Sequence, residues 1–354
     1  MERDFLKRLL ETPGPSGFES PPARVWREEA GKLAERTWSD VHGNSFAAVG
    51  EERRPRVMLA GHVDEIGLQI TWIDESGFLY VDGIGGWDPV VLVGQRVRVV
   101  TDAGEVPGVV GRKPIHLMKD EERKKVPEIK DLWLDVGASS ADEVTELGIR
   151  VGDPAVLGPS YQELAGGRIV SRAIDNRVGA YVVLEALRLL VDEPAPHAGA
   201  VAVATVQEEI GYSGGGARSS AWALEPDVAL VVDVTFATDV PEVNKKEVGE
   251  HKVGGGPVLS RGSATHPLVF RRLMEVAEAE EIPCSVQAAP KATRTDADGI
   301  FLVRSGVPTG LISVPNRYMH SPNELVSLDD LDRTARLMAA FVRSLEANAS
   351  FVQE

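Results

Sequence analysis

Apolar residues recur at helical spacing in several parts of the chain. This periodicity predicts helices over residues 2–11, 176–191, 266–281 and 328–347. The residues expected to face the core are Phe5, Leu6, Leu9 and Leu10 in the first helix, Val178, Val182, Leu184, Leu187 and Leu190 in the second, and Leu331, Ala335, Met338, Val342 and Leu345 in the last. Ser327 and Asp330 are expected to open the last helix as a capping box.

Near-continuous apolar runs alternate with these helices. The runs RVMLA at 56–60, GAVAVATV at 199–206 and VALVVD at 228–233 have no polar face, and further strands are expected at 284–289 and 309–314. Strands that are apolar on both faces are typical of a sheet covered by helices on both sides. The sequence therefore predicts an α/β fold with a mixed sheet in an α/β/α arrangement.

Residues 67–160 show a different pattern. Short alternating runs such as GLQITWI and QRVRVVT are separated by Gly and Pro, and helical periodicity is absent. We expect a small, β-rich, barrel-like domain here, inserted into a discontinuous catalytic domain made of residues 1–66 and 161–354. Within the insertion, the densely charged stretch at 119–131 is predicted to be a solvated loop or exposed turn.

The charge balance excludes some classes of partner. With 38 Lys+Arg against 54 Asp+Glu the net charge is −16, which repels nucleic acid and anionic lipid. No stretch is apolar and long enough to span a bilayer, so neither nucleic acid nor a membrane is an expected partner. The single cysteine, Cys284, cannot form an intrachain disulfide, which favours a cytoplasmic location and a role for Cys284 as a small core residue.

Ionisable residues stand where apolar segments end. They are His62 and Asp64 after 56–60, Asp175 after RIVSRAI, Glu208 and Glu209 after 199–206, Asp233 at the end of 228–233, and His320 after VPNRYM. Because α/β proteins collect ligands at the carboxyl ends of their strands, we expect these side chains to share one site, built entirely on the discontinuous domain. Their nitrogen and oxygen donors suit zinc or cobalt, and the lack of cysteine ligands argues against a structural zinc knuckle.

Each of these residues also has an ordinary structural interpretation. Asp175 could simply cap the helix at 176, and the two adjacent glutamates could end a strand in solvent. Asp233 and His320, taken singly, could be satisfied polar residues of the core or of a loop. Their joint placement at the ends of strands favours the metal site.

If the site binds metal ions, each candidate residue has a distinct role. Two adjacent acids are hard to ionise together unless cations offset them, so one of Glu208 and Glu209 would bind a cation while the other faces the attacking water. Asp64 would hold the second ring nitrogen of His62, and the two oxygens of Asp175 could bridge two cations. Three carboxylates and a bridging hydroxide would nearly neutralise two divalent cations, whereas one cation would leave excess buried negative charge.

Several motifs, in order along nearly the whole chain, resemble those of metallopeptidase family 42, the tetrahedral aminopeptidases. This family includes glutamyl and deblocking aminopeptidases and some chains labelled endoglucanase. The motifs are PGPSGFE at 13–19, GHVDEIG at 61–67, GGWDPVVLVGQRV at 85–97, GVVGRKPIHL at 108–117, LWLDVGA at 132–138, AIDNRVG at 173–179, QEEIGYSGG at 207–215, TDADGI at 295–300 and RYMHSPNE at 317–324.

The resemblance implies a role for each candidate residue. His62 and Asp233 would bind one zinc ion, Glu209 and His320 the other, and Asp175 would bridge them, with Glu208 as general base and Asp64 orienting His62. It also implies a cis peptide bond after Asp175, dimerisation through the inserted domain, and assembly of six dimers into a hollow tetrahedral dodecamer. The chain departs from the family at Asn176, where many relatives have a second acid, and at Thr293-Arg294, where Gly-Gly is common.

Together these features predict a metal-dependent aminopeptidase that removes N-terminal residues from short peptides with a free N-terminus. The nucleophile would be a metal-bridging hydroxide; zinc is the expected metal, and cobalt or manganese suit the same donors. The alternative enzyme is a glycoside hydrolase that uses Glu208 and a second carboxylate, and it leaves both histidines without a role. A non-catalytic peptide-binding scaffold is the other alternative. Lys291 and Arg294 are either solvated loop cations or part of a pocket for acidic side chains.

Overall fold

The structure is a computed structural model and describes residues 2–211 and 214–353. In chain order its strands are β1 (Arg36–Ser39), β2 (Ser45–Val49), β3 (Arg56–His62), β4 (Gly67–Ile73), β5 (Leu79–Ile84), β6 (Arg96–Thr101), β7 (Gly104–Gly111), β8 (Trp133–Asp135), β9 (Pro154–Leu157), β10 (Gln162–Leu164), β11 (Arg168–Ser171), β12 (Gly199–Thr205), β13 (Val228–Phe236), β14 (Val258–Gly262), β15 (Ser285–Ala289), β16 (Thr309–Asn316) and β17 (Glu324–Ser327). Its helices are α1 (Arg3–Glu11), α2 (Ser20–Ala30), α3 (Pro89–Leu92), α4 (Asp120–Lys124), α5 (Ala141–Glu146), α6 (Ile174–Asp192), α7 (Gly215–Leu224), α8 (Lys245–Val248), α9 (Pro267–Ala279), α10 (Asp296–Ile300) and α11 (Leu328–Arg343).

An eight-stranded mixed sheet in the order β1-β2-β12-β3-β13-β16-β14-β15 forms the centre of the larger domain. Its middle strands β12, β3, β13 and β16 are parallel, while β2 and β14 run antiparallel to them. Along β3, Val57 and Leu59 join the core on one face, and Met58 and Ala60 join the core on the other. The sheet is therefore covered on both faces, as its apolar runs predict. A small antiparallel sheet, β10-β11-β17, lies beside it.

The predicted helices are present and bury the predicted residues. Phe5, Leu6, Leu9 and Leu10 of α1 are buried, and so are the inward positions predicted for α6 and for the last helix, although Leu345 lies just beyond the end of α11. Cys284 is half-buried and packs against the larger core, in agreement with its expected role. Among the described residues, none of the helices combines the length and apolarity that crossing a bilayer requires.

The insertion forms a closed, antiparallel six-stranded barrel in the order β4-β5-β8-β7-β6-β9. Alternate residues such as Leu68 and Ile70 on β4, and Val97 and Val99 on β6, fill a core that is separate from the two cores of the large sheet. This alternation is what the sequence of the segment predicts. The prediction of an inserted β-rich, barrel-like domain is confirmed.

Several elements differ from the predictions. The insertion also contains the short helices α3 and α5, and the charged stretch at 119–131, although mostly exposed, forms α4 and a 3-10 turn at Ile129–Asp131 instead of a continuous loop. Sequence periodicity does not reveal α2, whose first turn contains Pro21 and Pro22. Proline is tolerated there because the first N–H groups of a helix have no helical partner.

The predicted capping box of α11 is wrong. Ser327 occupies the N-cap position, but its side chain makes no capping hydrogen bond. The carboxylate of Asp330 instead accepts hydrogen bonds from the backbone N–H groups of Gly254 (2.6 Å) and Gly256 (2.7 Å). A tertiary contact has replaced the local one, and Asp330 fixes the loop that precedes β14.

A buried ionic cluster joins the N-terminal segment to the end of β3. The carboxylate of Glu65 pairs with Arg172 and, at 2.9 Å, with Arg177, and it also accepts a hydrogen bond from Gly14 N at 3.1 Å. The fully buried Arg177 donates in addition to the carbonyl oxygen of Leu9 at 2.9 Å. Burial opposes ionisation of Glu65, but the two guanidinium groups outweigh it and hold its pKa below the usual value.

Candidate active site

The residues proposed from the sequence converge at the edge of the large sheet where its parallel strands end. His62 ends β3 and lies beside Thr205, the last residue of β12. The other candidates come from neighbouring elements: Asp175 from the start of α6, Glu208 and Glu209 from the turn after β12, Asp233 from β13, and His320 from the loop between β16 and β17. The motif that carries the two glutamates continues to Tyr212 and Ser213, which lie outside the described residues.

Two groups of donor atoms share one carboxylate. One ligand atom each from His62, Asp175 and Asp233 lies within 4.8 Å of the others. The second group, on the same criterion, is Asp175, Glu209 and His320. Asp175 belongs to both because Oδ1 lies 3.3 Å from His62 Nε2 and Oδ2 lies 3.3 Å from His320 Nε2. The geometry is that of two adjacent cation sites with a common carboxylate.

Several buried atoms of these groups have no hydrogen-bond partner among the described residues. Both ring nitrogens of His62 lack a hydrogen-bond partner among these residues. Nδ1 lies 3.3 Å from Asp64 Oδ1, but the two groups are not aligned for a hydrogen bond. Glu209 Oε1 is likewise buried and unpartnered. Leaving such atoms unsatisfied is costly, and imidazole nitrogens with carboxylate oxygens form a donor set that divalent transition metals prefer. The residues present therefore fit divalent cations.

The carboxylates crowd one another, and their pKa values reflect it. Burial raises the pKa of Glu209 to about 7, and the charge of Asp175 adds to the effect. Burial also raises the pKa of Glu208 and that of Asp233 well above their usual values. For His320 burial alone would lower the pKa, but the adjacent carboxylates raise it to about 11. Bound cations would offset this surplus of buried negative charge.

Asp64 supports both sides of the site. Its buried carboxylate approaches the ring of His62 and accepts hydrogen bonds from Ser16 Oγ (2.6 Å), Glu209 N (3.1 Å) and Glu208 N (3.3 Å). Burial opposes ionisation of Asp64, but His62 and these hydrogen bonds hold its pKa below the usual value. One carboxylate thus links a candidate ligand to the turn that carries the two glutamates.

Glu324 is a member of the site that the sequence analysis missed. Its Oε2 accepts a hydrogen bond from Asp175 N at 3.0 Å, and its Oε1 accepts one from His320 N at 2.9 Å. Burial raises the pKa of Glu324 well above the usual value, and the charge of Asp175 adds to it. The available signal was an acid at the start of a strand, shortly after His320. Glu324 fixes the backbone of two candidate ligands at once.

The hydrogen bonds of Asn176 explain how an amide is accommodated where many relatives have a second acid. Its amide Nδ2 donates to Val232 O at 2.8 Å, and its Oδ1 accepts from Gly179 N at 3.0 Å. A carboxylate at this position would lack the N–H group that Val232 O accepts. The Asp175-Asn176 peptide bond is cis, as the resemblance implies. Asn176 therefore ties the start of α6 to β13, next to Asp175.

The barrel contributes to the site through the loop after β5. The carbonyl oxygen of Gly86 accepts a hydrogen bond from His320 Nδ1 at 2.7 Å. This contact leaves Nε2 facing Asp175 and Glu209, at 3.3 Å from each. The expectation of a site built entirely on the discontinuous domain is therefore wrong in one respect. All candidate ligands do come from that domain, but the barrel orients the ring of His320.

Left-handed backbone geometry recurs around the site. Ala173 precedes Asp175 with a φ of 58°, Gln207 precedes Glu208 with a φ of 60°, and His320 itself has a φ of 58°. Such a conformation costs a residue other than glycine about 1–3 kcal/mol and persists only where the surroundings fix it. Three of the residues in this conformation thus lie at candidate donor groups or within two residues before them.

The site opens into a cavity of about 1400 Å³. The exposed part of its lining includes Arg218, Lys291 and Arg294, and none of these forms an ion pair with another described residue. Asp298, which also lines the cavity, forms no ion pair with these three cations. Its carboxylate accepts hydrogen bonds from the backbone N–H groups of Thr293 (3.0 Å) and Arg294 (2.8 Å). The cavity lining therefore carries three cations without an ion-pair partner among the described residues, in addition to the acidic donor clusters.

An α/β domain with two linked donor clusters at the carboxyl edge of its sheet, open to a large cavity, is the arrangement of a metal-dependent hydrolase. Comparison with known families gives the particular kind. The sequence profile of the family described as M42 glutamyl aminopeptidase matches residues 43–337, and the chain belongs to this family. It is an aminopeptidase of the metallopeptidase class, which confirms the family predicted from the motifs.

Related proteins match over nearly their whole length. The chain is 37% identical to the lysyl aminopeptidase of Pyrococcus furiosus over 346 residues, which cover 97% of each chain. Among solved structures, the TET aminopeptidase from a marine sediment archaeon of the Thaumarchaeota superimposes with a TM-score of 0.92 at 35% identity, covering 97% of this chain and 96% of that one. The TET1 peptidase of Pyrococcus horikoshii, which can assemble into a tetrahedron or a large octahedral shell, has a TM-score of 0.85 at 31% identity, covering 97% and 99%.

Proposed function

We propose that this aminopeptidase binds two divalent ions per subunit and removes N-terminal residues from short peptides. The observation that carries the proposal is the pair of donor clusters that share Asp175 beside the cavity. His62 and Asp233 would hold one ion, Glu209 and His320 the other, and Asp175 would contact both. Bound divalent cations supply Lewis acidity, which polarises the scissile carbonyl and lowers the pKa of a water molecule from about 15.7 to about 7.

Glu208 is the residue to which we assign proton transfer. It belongs to neither donor cluster but lines the cavity, and its side chain is 16% exposed, so a water molecule in the cavity can reach it. Glu208 would accept the proton of the attacking water and deliver it to the leaving amine.

The requirement for a free N-terminus would come from acids around the cavity. Asp296 is buried in the cavity lining; its Oδ2 accepts a hydrogen bond from Thr205, and its Oδ1 has no partner among the described residues. Its carboxylate would provide negative charge that attracts the ammonium group of a peptide. A peptide with an acylated terminus lacks this attraction, so exopeptidase activity follows.

Zinc is the metal we propose, because its preference for imidazole and carboxylate ligands matches the donors; cobalt or manganese suits the same ligands. We place the enzyme in the cytoplasm, since its single cysteine needs no oxidising compartment.

We propose further that the barrel mediates dimerisation and that six dimers form a tetrahedral dodecamer. Large apolar side chains are exposed on the barrel, namely Val109 (46%), Ile115 (61%), Leu117 (69%) and Val126 (63%). Contiguous apolar surface is typical of an interface, and we propose that these side chains contribute to one. Analytical ultracentrifugation should give a particle of twelve chains of 38.1 kDa each, and a monomer at micromolar concentration would contradict the assembly.

Metal dependence tests the proposed function. We expect the purified enzyme to release the aniline from an aminoacyl anilide, to lose this activity on treatment with a chelator, and to regain it when a divalent ion is added back. The same preparations should not hydrolyse a β-glucan. Hydrolysis of the glucan that survives chelation would favour the glycoside hydrolase, and a purified protein without bound metal or turnover would favour the peptide-binding scaffold.

The cations Lys291 and Arg294 in the cavity lining lead to a prediction about substrate preference. The family description names glutamate, whereas the relative from Pyrococcus furiosus is a lysyl enzyme, so the names alone do not decide the preferred charge. Lys291 and Arg294 favour an acidic N-terminal residue. The double variant Lys291→Glu, Arg294→Glu should lower kcat/KM for a glutamyl anilide relative to a leucyl anilide by roughly three- to tenfold.

The control for this comparison is the double variant Arg271→Glu, Arg336→Glu, which makes the same charge change at exposed positions of α9 and α11, outside the cavity lining. An equal loss on both substrates in the Lys291→Glu, Arg294→Glu variant, or a shift of the same size in the control, would contradict the assignment of these cations to the substrate pocket.

A further inference from the structure

The segment at 13–19, which carries the motif PGPSGFE, has no part in the proposed reaction but lies directly against the site. Pro15 forms a β-bridge with Glu65, and Ser16 N donates to Glu65 O at 3.2 Å. The hydroxyl of Ser16 donates to Asp64 at 2.6 Å. The segment is therefore bound to the residues that follow His62 at the end of β3.

Glu19 at the end of this segment uses its side chain in an unexpected way. It occupies the N-cap position of α2, but its carboxylate does not cap that helix. Instead, Oε1 accepts hydrogen bonds from Gly17 N at 2.7 Å and from Gln207 N at 3.1 Å. Glu19 is only 7% exposed, so this carboxylate is withdrawn from solvent to reach a turn distant in sequence.

The turn that Glu19 contacts carries the two glutamates of the site. Gln207 has the strained left-handed φ of 60°, and the next two N–H groups, those of Glu208 and Glu209, donate to Asp64 at 3.3 and 3.1 Å. Three consecutive N–H groups of one turn are thus held by two buried carboxylates, those of Glu19 and Asp64. Successive N–H groups around a left-handed residue form a concave site for anionic oxygens.

We propose that Glu19 is a positioning residue for catalysis. By holding Gln207 in its left-handed conformation, Glu19 fixes the direction in which the chain leaves β12, and so aims Glu208 into the cavity and Glu209 at the second donor cluster. The inference rests on the roles proposed above for Glu208 and Glu209. The inference also assigns a function to the 13–19 segment, which places Glu19 against the turn at Gln207.

Three substitutions at Glu19 distinguish the effect of a correctly placed hydrogen-bond acceptor from the effect of its negative charge. Alanine removes the acceptor, and aspartate keeps the charge but shortens the side chain by one methylene. Glutamine loses the charge but keeps an acceptor oxygen at the same distance. We expect Glu19→Ala and Glu19→Asp to lower kcat by about 10–100-fold, the range seen when a supporting contact of a metal site is lost. Glu19→Gln should retain most of the wild-type activity. KM should change little in all three variants because none of them alters a residue of the cavity lining.

Glu28→Ala is the matched control, since Glu28 is an exposed glutamate on α2. The measurements are kcat and KM on an aminoacyl anilide, the thermal unfolding midpoint, and a crystal structure of Glu19→Asp. In that structure Gln207 should have left the left-handed region. The midpoint identifies any variant that fails to fold; if Glu19→Ala is one, the aspartate and glutamine variants still decide.

Wild-type kcat in Glu19→Asp, equal losses in Glu19→Asp and Glu19→Gln, or an unchanged turn in the crystal structure would each overturn the proposal. Loss confined to the alanine and aspartate variants supports it. Failure of the proposed function is distinguishable, because it shows in the wild-type enzyme as absent metal-dependent turnover, whereas the crystallographic test of the turn does not depend on activity.

Discussion

Replacement of Glu208 by glutamine is expected to lower kcat by about 10²–10⁴-fold, the usual contribution of a general base, while the bound metal stays at the wild-type level. Glutamine has the shape of glutamate but cannot accept the proton of the attacking water. Glu208 is absent from both donor clusters, so its loss should leave them intact. The measurements are steady-state kinetics on an aminoacyl anilide and metal content by mass spectrometry.

The adjacent residue provides the control. Glu209 belongs to the second donor cluster, with Oε2 lying 3.3 Å from His320 Nε2. Glu209→Gln should therefore lose metal as well as activity, whereas Glu208→Gln loses activity alone. If Glu208→Gln retains the wild-type rate, or if the two variants lose metal equally, the division of roles between these neighbours is wrong.

The second large effect concerns stability. Glu65→Gln is expected to lower the free energy of unfolding by about 3–5 kcal/mol, because it leaves Arg172 and Arg177 buried without a counter-charge. Both guanidinium groups are almost fully buried, so solvent cannot replace the lost carboxylate. Urea unfolding of the metal-loaded enzyme measures the difference. The matched control is Glu105→Gln, which breaks a surface pair with Arg98 (2.8 Å, Glu105 42% exposed) and should cost about 0–1 kcal/mol.

The difference between wild type and Glu65→Gln should depend on pH. Because the pKa of Glu65 is lowered in the folded protein, its ionisation stabilises the fold above the unfolded pKa of about 4.3, and this contribution is lost as pH falls through the folded pKa. The gap in unfolding free energy should be constant near neutral pH and close in acid. A gap that is unchanged in acid, or below 1 kcal/mol at neutral pH, would show that Glu65 is not the counter-charge of this cluster.

The sequence reveals the parts of the site that depend on local pattern. An apolar strand that is followed abruptly by His62, Glu208 or Asp233 is visible without any tertiary information, because ionisable residues are uncommon in strands that are buried on both faces. The parallel register then brings the strand ends together. The order of the motifs identified the family, and the pattern of apolar strands and helices predicted the fold.

The roles of three further supporting residues were not predicted, although all three lie within the family motifs. Glu324, Glu65 and Glu19 act through contacts with backbone groups or arginines that are distant in the chain, and no periodicity marks such a partner. Asp330 shows the converse error. Its spacing from Ser327 predicts a local cap, but its carboxylate instead accepts hydrogen bonds from the distant backbone N–H groups of Gly254 and Gly256.

The hydrogen bond from His320 to Gly86 O has a consequence for engineering this family. A chimera that exchanges barrels between two relatives would transplant, along with the surface properties of the barrel, the loop that sets the ring orientation of one candidate ligand. Any difference in the path of that loop would appear as altered metal affinity in the recipient. The graft that preserves catalysis should keep the native residues from Gly85 to Asp88 and replace only the strands around them.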